Sequence, residues 1–152
     1  TPVNDAPVAK GDIATTQEDT AVTIDVLPND TDIDGDTLRI DSASVPSDQG
    51  TVEIVDGKLV FTPAENFNGN AEITYTVTDG SLTDQATVKV TVNAVSDTPV
   101  VESNLADQTL AEDFTTYTID LNTAFSDVDN VDGELTFSVS GNSNVLVSIE
   151  NG

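Results

Sequence analysis

The chain has 152 residues, 28 acidic side chains against 4 basic ones, and a formal net charge of −24. That balance excludes nucleic acid and anionic membrane surfaces as partners, because both are gripped through basic patches. The absence of Cys and His excludes disulfides, thiolate zinc sites, histidine-based catalysis and imidazole-ligated metals.

Along the chain the dominant signal is alternation of apolar and polar residues with period two, the pattern of half-buried strands, and no helical period competes with it. A first strand is expected near "PVAKGDIAT". "AVTIDV" turns Val22, Ile24 and Val26 one way, "TLRID" does so with Leu38 and Ile40, and "TVEIV" with Val52 and Ile54. "KLVF" follows with Leu59 and Phe61, "EITYTV" with Ile73, Tyr75 and Val77, and "ATVKVTV" with Ala86, Val88, Val90 and Val92. Turn signals separate them: "PSDQG", Asp56-Gly57, "NFNGN" and "DGSLTD". Strands this short and evenly spaced predict an all-β, seven-stranded antiparallel Greek-key sandwich of the immunoglobulin or cadherin type. No stretch has the length and apolarity of a membrane span, so direct insertion is not expected.

The pattern then returns. "VNDAPV" (3–8) reappears as "VSDTPV" (95–100), and Glu18-Asp19 as Glu112-Asp113. "TIDV" (23–26) reappears as "TIDL" (118–121), and "DID" (32–34) as "DVD" (127–129). Landmarks recurring in one order predict tandem domains: a complete repeat over 1–95, and the N-terminal part of a second over 96–152. The chain starts and stops mid-pattern, as a piece of something longer does. Half a sandwich leaves an open core, so the second copy is expected to be poorly ordered or completed by another chain.

"NDTDIDGDTL" (29–38) sets Asp30, Asp32, Asp34 and Asp36 at alternate positions. At a spacing of about 6 Å each neighbouring pair repels by roughly 0.7 kcal/mol in water, so the loop is either a solvated turn or a site completed by a cation. Alternating strand directions sort the acids. Asp5, Asp32, Asp34, Asp36 and Asp79 fall at one end of the first sandwich. Glu18, Glu65 and Asp97 fall at the other, beside Asp127 and Asp129 of the second. Ca²⁺ takes six to eight oxygen ligands in flexible geometry, which converging carboxylates and carbonyls can supply; Mg²⁺ demands a tighter octahedron.

These motifs resemble those of the cadherin family. "VNDAP" is similar to its inter-domain linker, Glu18 to the glutamate of its "PEN" motif, and "DID" and "DVD" to its D-x-D motif. "TYTVTDG" resembles the end of its sixth strand, with Asp79 at the ligand position. "EDTAVTIDVLPNDTDIDGDTL", "FTPAENFNG" and "YTVTDG" more closely resemble the cadherin-like repeats of very large bacterial surface adhesins. That resemblance implies an extracellular, calcium-stiffened segment of a bacterial cell-surface or secreted adhesin or biofilm protein, working as a spacer rather than an enzyme. The implied partners are adjacent repeats sharing calcium, and possible further ones are surface glycans or the same protein on another cell. The "LDRE" motif is missing, with Glu65 roughly at its place, and the linker carries one strong acid, Asp97. One or two ions per junction are therefore implied, not three.

Other readings compete for the same residues. "DTDIDGDTLRID" fits an EF-hand loop only if helices flank it, and strands do. Asp, Asn and Gly are good turn formers without any ligand. A carboxylate pair for glycoside hydrolysis needs a walled cleft and one raised pKa. Calcium-dependent carbohydrate binding is the main alternative, since related sandwiches bind polysaccharides. It calls for exposed aromatics, whereas the chain has no Trp, and Tyr75, Tyr117, Phe61 and Phe137 all alternate onto the apolar face. Phe67, in a loop, is expected to plug one end of the sandwich.

Overall fold

A computed structural model describes residues 3–111, 116–129, 135–140 and 148–149. The chain divides into two compact units, Thr1–Val95 and Ser96–Gly152. Glu112 and Asp113, the second copy of one repeat landmark, lie outside the described residues.

The first unit is built from β1 (Asp12–Gln17), β2 (Val22–Ile24), β3 (Arg39–Ser44), β4 (Gly50–Val55), β5 (Lys58–Pro63), β6 (Gly69–Thr78) and β7 (Thr83–Asn93). A single 3-10 turn, Leu27–Asn29, follows β2. One sheet has the order β1-β7-β6-β3 and the other β2-β5-β4. The two close on a core of Ile24, Val26, Ile40, Leu59, Phe61, Ala71, Ile73, Tyr75, Val77, Val88, Val90 and Val92. These are the inward positions that the alternation predicts, because side chains of a strand point to opposite faces in turn. Phe67 packs against the same core.

The expected antiparallel arrangement needs one correction: β1 pairs with β7 in parallel, Asp12 opposite Val88 through Gln17 opposite Asn93. Seven strands that alternate in direction leave the first and last pointing the same way, so setting them side by side makes their ladder parallel. The other pairings are antiparallel. Ile54 also departs from its expected inward position. It is exposed because β4 is the free edge of its sheet.

Turn chemistry fixes the ladders. Asp56 and Gly57 join β4 to β5 with φ of 50° and 75°, the positive pair that a two-residue hairpin needs to match strand twist. Gly50 has φ of 149°, and a Cβ there would stand 2.3 Å from the Thr62 carbonyl oxygen. Only glycine fits that approach of β4 to β5.

The second unit shows β8 (Val100–Val101) paired antiparallel with β9 (Phe125–Ser126). Among its described residues Ala124 is the fully buried apolar one. Tyr117, expected on an apolar face, is instead 48% exposed, and its hydroxyl donates to Gln108 Oε1 at 2.8 Å. In the first unit Ile24 is shielded by its pairing with Leu59. Ile119, one repeat on, is exposed, and no strand among the described residues covers it. Phe137 is half-buried, its ring 5.6 Å from that of Phe125.

Candidate metal centre

The loop between the 3-10 turn and β3 does not run as a strand, so alternate positions in it do not share a face. Asp30 caps the turn in an extended conformation and its side chain goes inside, 8% exposed. Its Oδ1 accepts the Lys10 amide at 2.7 Å. Burial, ahead of other influences, pushes its carboxyl above the ordinary range. The row of four aspartates is thus a buried structural acid followed by three that converge.

Asp32, Asp34 and Asp36 each offer a carboxylate oxygen, and the three oxygens lie within 4.8 Å of one another. Asp32 organises the loop: its Oδ1 accepts the Asp34 amide at 2.8 Å and the Asp36 amide at 3.3 Å. Such Asx turns curl the backbone around the carboxylate. Asp32 Oδ2 is shut off from solvent and has no hydrogen-bond partner. A buried carboxylate oxygen without a donor is costly, and a hard cation satisfies it where a neutral solvent-free pocket does not.

Asp5 and Asp79 join this end indirectly. The Asp5 amide donates to Asp34 Oδ2 at 2.8 Å, tying the entry segment to the loop through backbone. Asp79 Oδ1 accepts the Ser81 and Leu82 amides at 2.6 and 2.7 Å. Its Oδ2 accepts Asn4 Nδ2 at 2.8 Å. The two amides, Leu82 foremost, hold the Asp79 carboxyl below its ordinary pKa. Among the described residues, the set of three close carboxylates includes neither Asp5 nor Asp79.

At the other end of the first unit Glu18 is 3% exposed. Its Oε1 accepts the Val95 amide, and Asn68 Nδ2 lies 3.4 Å from Oε2. Glu18 therefore fastens the last residue of the first unit to the turn after β1. Glu65 is exposed in the loop between β5 and β6. That loop meets the β1–β2 turn through Asn68 and through Asp19 Oδ1, which accepts the Asn66 amide at 3.1 Å.

The first unit's pattern of bonds recurs in the second. Asp97 N donates to Asp129 Oδ2 at 2.5 Å, as Asp5 N does to Asp34 Oδ2. Asp129 N donates to Asp127 Oδ1 at 2.9 Å, as Asp34 N does to Asp32 Oδ1. Even the backbone pairing recurs: Val8 bridges Thr31, and Val100 pairs with Ser126.

Sequence reasoning missed Asn4, Asp19 and the buried group around Tyr75. Asn4 stands inside "VNDAP", and its amide carried no sign of a bond to a residue 75 positions away.

A match to the model of the cadherin-like domain spans residues 3–93, the whole first sandwich. The chain belongs to the cadherin-like domain family. That membership makes it an adhesion-type extracellular repeat, from a family of modules that are typically not enzymes. Among the described residues no helix is long and apolar enough to cross a membrane.

No curated protein matches the cadherin-like chain. Among solved structures, an endo-fucoidan hydrolase of glycoside hydrolase family 107 is 23% identical, covering 64% of this chain and 16% of that one, with a TM-score of 0.45. A variant of that hydrolase is 28% identical over 59% of this chain and 14% of its own, also with a TM-score of 0.45. A chimeric titin Z1Z2 is 15% identical over 62% of this chain and 100% of that one, with a TM-score of 0.35. The chain thus spans a small fraction of the hydrolases it matches. At these TM-scores the likenesses carry no argument.

Proposed function

We propose that this cadherin-like segment binds calcium through Asp32, Asp34 and Asp36, and that it is a calcium-rigidified spacer in a bacterial cell-surface or secreted adhesin or biofilm protein. The observation that carries the reading is the convergence of three carboxylates on a loop whose Asp32 Oδ2 is buried and unpartnered. Oxygen-only donors in a flexible loop suit Ca²⁺ better than Mg²⁺ or a transition metal.

Bound calcium supplies positive charge and six to eight coordination positions, which remove the mutual repulsion of the three acids. The chain's own residues do the rest. Asp32 holds the loop's amides, and Asp34 Oδ2 holds the Asp5 amide, so fixing this loop also fixes the entry segment. Asp127, Asp129 and Asp97 repeat those bonds, which supports reading 96–152 as the front part of a second copy with its own such loop. Ions shared by adjacent repeats, with Glu18, Glu65 and Asp97 contributing, belong to the same proposal.

Titration calorimetry with Ca²⁺ and Mg²⁺ tests it. Calcium binding with Kd of about 10⁻⁴ to 10⁻³ M, typical of extracellular modules, is expected, with little response to magnesium. No heat at millimolar calcium refutes it. The second reading, calcium-dependent carbohydrate binding, is favoured by one observation, the half-exposed Tyr117 ring. A glycan array run with and without calcium separates the two.

A further inference from the structure

Beneath the entry segment lies a polar group that the calcium reading does not use. Tyr75 is fully buried in the middle of β6. Its hydroxyl lies 2.7 Å from the Lys10 carbonyl oxygen, 3.3 Å from Asp12 Oδ2 and 3.3 Å from Asp30 Oδ1. A phenol has one proton, and the short contact to Lys10 O takes it. Two carboxylates then face the lone pairs of one buried oxygen with no proton between them. That arrangement is repulsive unless a carboxyl O–H supplies a second proton.

Asp12 is placed to supply it. Its Oδ1 already accepts Asn29 Nδ2 at 2.9 Å, leaving Oδ2 as the oxygen turned to the phenol. Asp30 is less well placed: its Oδ1 is shared with the Lys10 amide, and its Oδ2 stands farther from the phenol, at 3.4 Å. We propose that Asp12 is an acid-driven latch: on acidification its carboxyl becomes protonated at Oδ2, donates to Tyr75 Oη, and locks the entry strand β1 onto β6.

The charges around Asp12 all favour the proton. Asp30 and Asp25 are acidic neighbours, and Asp84 lies beyond Asp30, where its Oδ2 accepts the Ala9 amide. Lys58 is spent on Asp25 at 2.9 Å, and Lys10 acts on Asp30. Burial raises the Asp12 carboxyl above its ordinary value, opposed by its contacts with Tyr75 and Asn29 and reinforced by the charges of Asp30 and Asp25. Burial and the same two carboxylates, Asp30 and Asp12, push the Tyr75 phenol up, so it stays a neutral acceptor. A group raised on folding contributes stability that is complete below its unfolded pKa, about 3.9 for Asp. The contribution fades as pH rises through the folded value.

The test is a ¹³C carboxyl titration of the 152-residue chain in chelator, together with melting of wild type and Asp12→Asn across pH 3.5 to 7. The introduced carboxamide keeps an acceptor for Asn29 and gives Tyr75 Oη a permanent N–H donor. The expected result is an Asp12 midpoint above about 3.9. Asp12→Asn should melt above wild type at pH 7, with a gap that closes on acidification. An Asp12 midpoint at or below about 3.9, or a gap that does not change with pH, overturns the latch. Should Asp12→Asn fail to fold, the wild-type midpoint alone decides.

Discussion

Asp32→Asn separates a metal ligand from a turn-forming residue by the sign of its effect. The three converging oxygens lie within 4.8 Å of one another. At that distance each charged pair repels by about 0.9 kcal/mol in water, and by more near a protein surface. The substituted amide retains Oδ1, the acceptor for the Asp34 and Asp36 amides, while removing the charge. In chelator the variant should therefore melt at or above wild type. For wild type, about 10 mM calcium is a 10- to 100-fold excess over the expected Kd, which stabilises by roughly 1.4 to 2.7 kcal/mol. In a domain of this size that is a rise of about 6 to 20 °C in Tm. The variant, lacking one anionic ligand, should gain only a few degrees. The two melting temperatures should cross between chelator and calcium, as scanning calorimetry on the same preparations reads directly. Parallel shifts, with no crossing, would refute the ligand role of Asp32 and leave it a turn former.

Glu18→Ala takes the acceptor from the part-buried Val95 amide, at a cost of about 1 to 3 kcal/mol; amide exchange at Val95 should accelerate while β6 stays protected. Gly50→Ala combines a positive φ with a 2.3 Å approach to Thr62 O, and should lower Tm more than alanine at the open Gly57 turn. Asp79 is held below its ordinary pKa by the Leu82 and Ser81 amides and by Asn4, so the stability it contributes is present above about pH 3.9 and lost as pH falls through its depressed folded value. Asn4→Ala should move the Asp79 midpoint upward, as a carboxyl NMR titration would show. Asp129→Ala should alter the scattering profile in calcium while leaving melting of the first sandwich intact; identical profiles would count against ions shared by adjacent repeats.

Much of the first sandwich was legible because burial in a two-sheet structure prints directly as alternation. Val88, Val90 and Val92 on β7, and Ile73, Tyr75 and Val77 on β6, all face inward as their spacing predicts. What periodicity does not carry is which strands become neighbours. The parallel β1–β7 ladder depends on side-by-side placement, and the exposure of Ile54 depends on β4 being an edge. Tyr117 fails for a related reason: alternation marks the face to be covered, while covering needs a second sheet. In the loop, "DIDGD" announced the carboxylate cluster of Asp32, Asp34 and Asp36, and Asp30 stood outside the expected ligand set. A 3-10 turn just before Asp30 ends the strand-like alternation, and nothing in the letters showed that its side chain would turn inside.

The acids of the first unit are better sorted by what each faces than by where it stands in the chain. Asp79 faces amide donors, which favour the carboxylate and lower its pKa. Asp12 and Asp30 also accept hydrogen bonds, from Asn29 and the Lys10 amide, but there burial outweighs them, disfavours the carboxylate and raises its pKa. Acid must therefore protonate the group beneath the entry strand before it reaches the turn between β6 and β7. Between those two events β1 is held more firmly while the Asp79 cap is still charged. A module of this charge need not simply weaken as pH falls: in chelator its melting temperature should pass through a maximum on the acid side of neutrality.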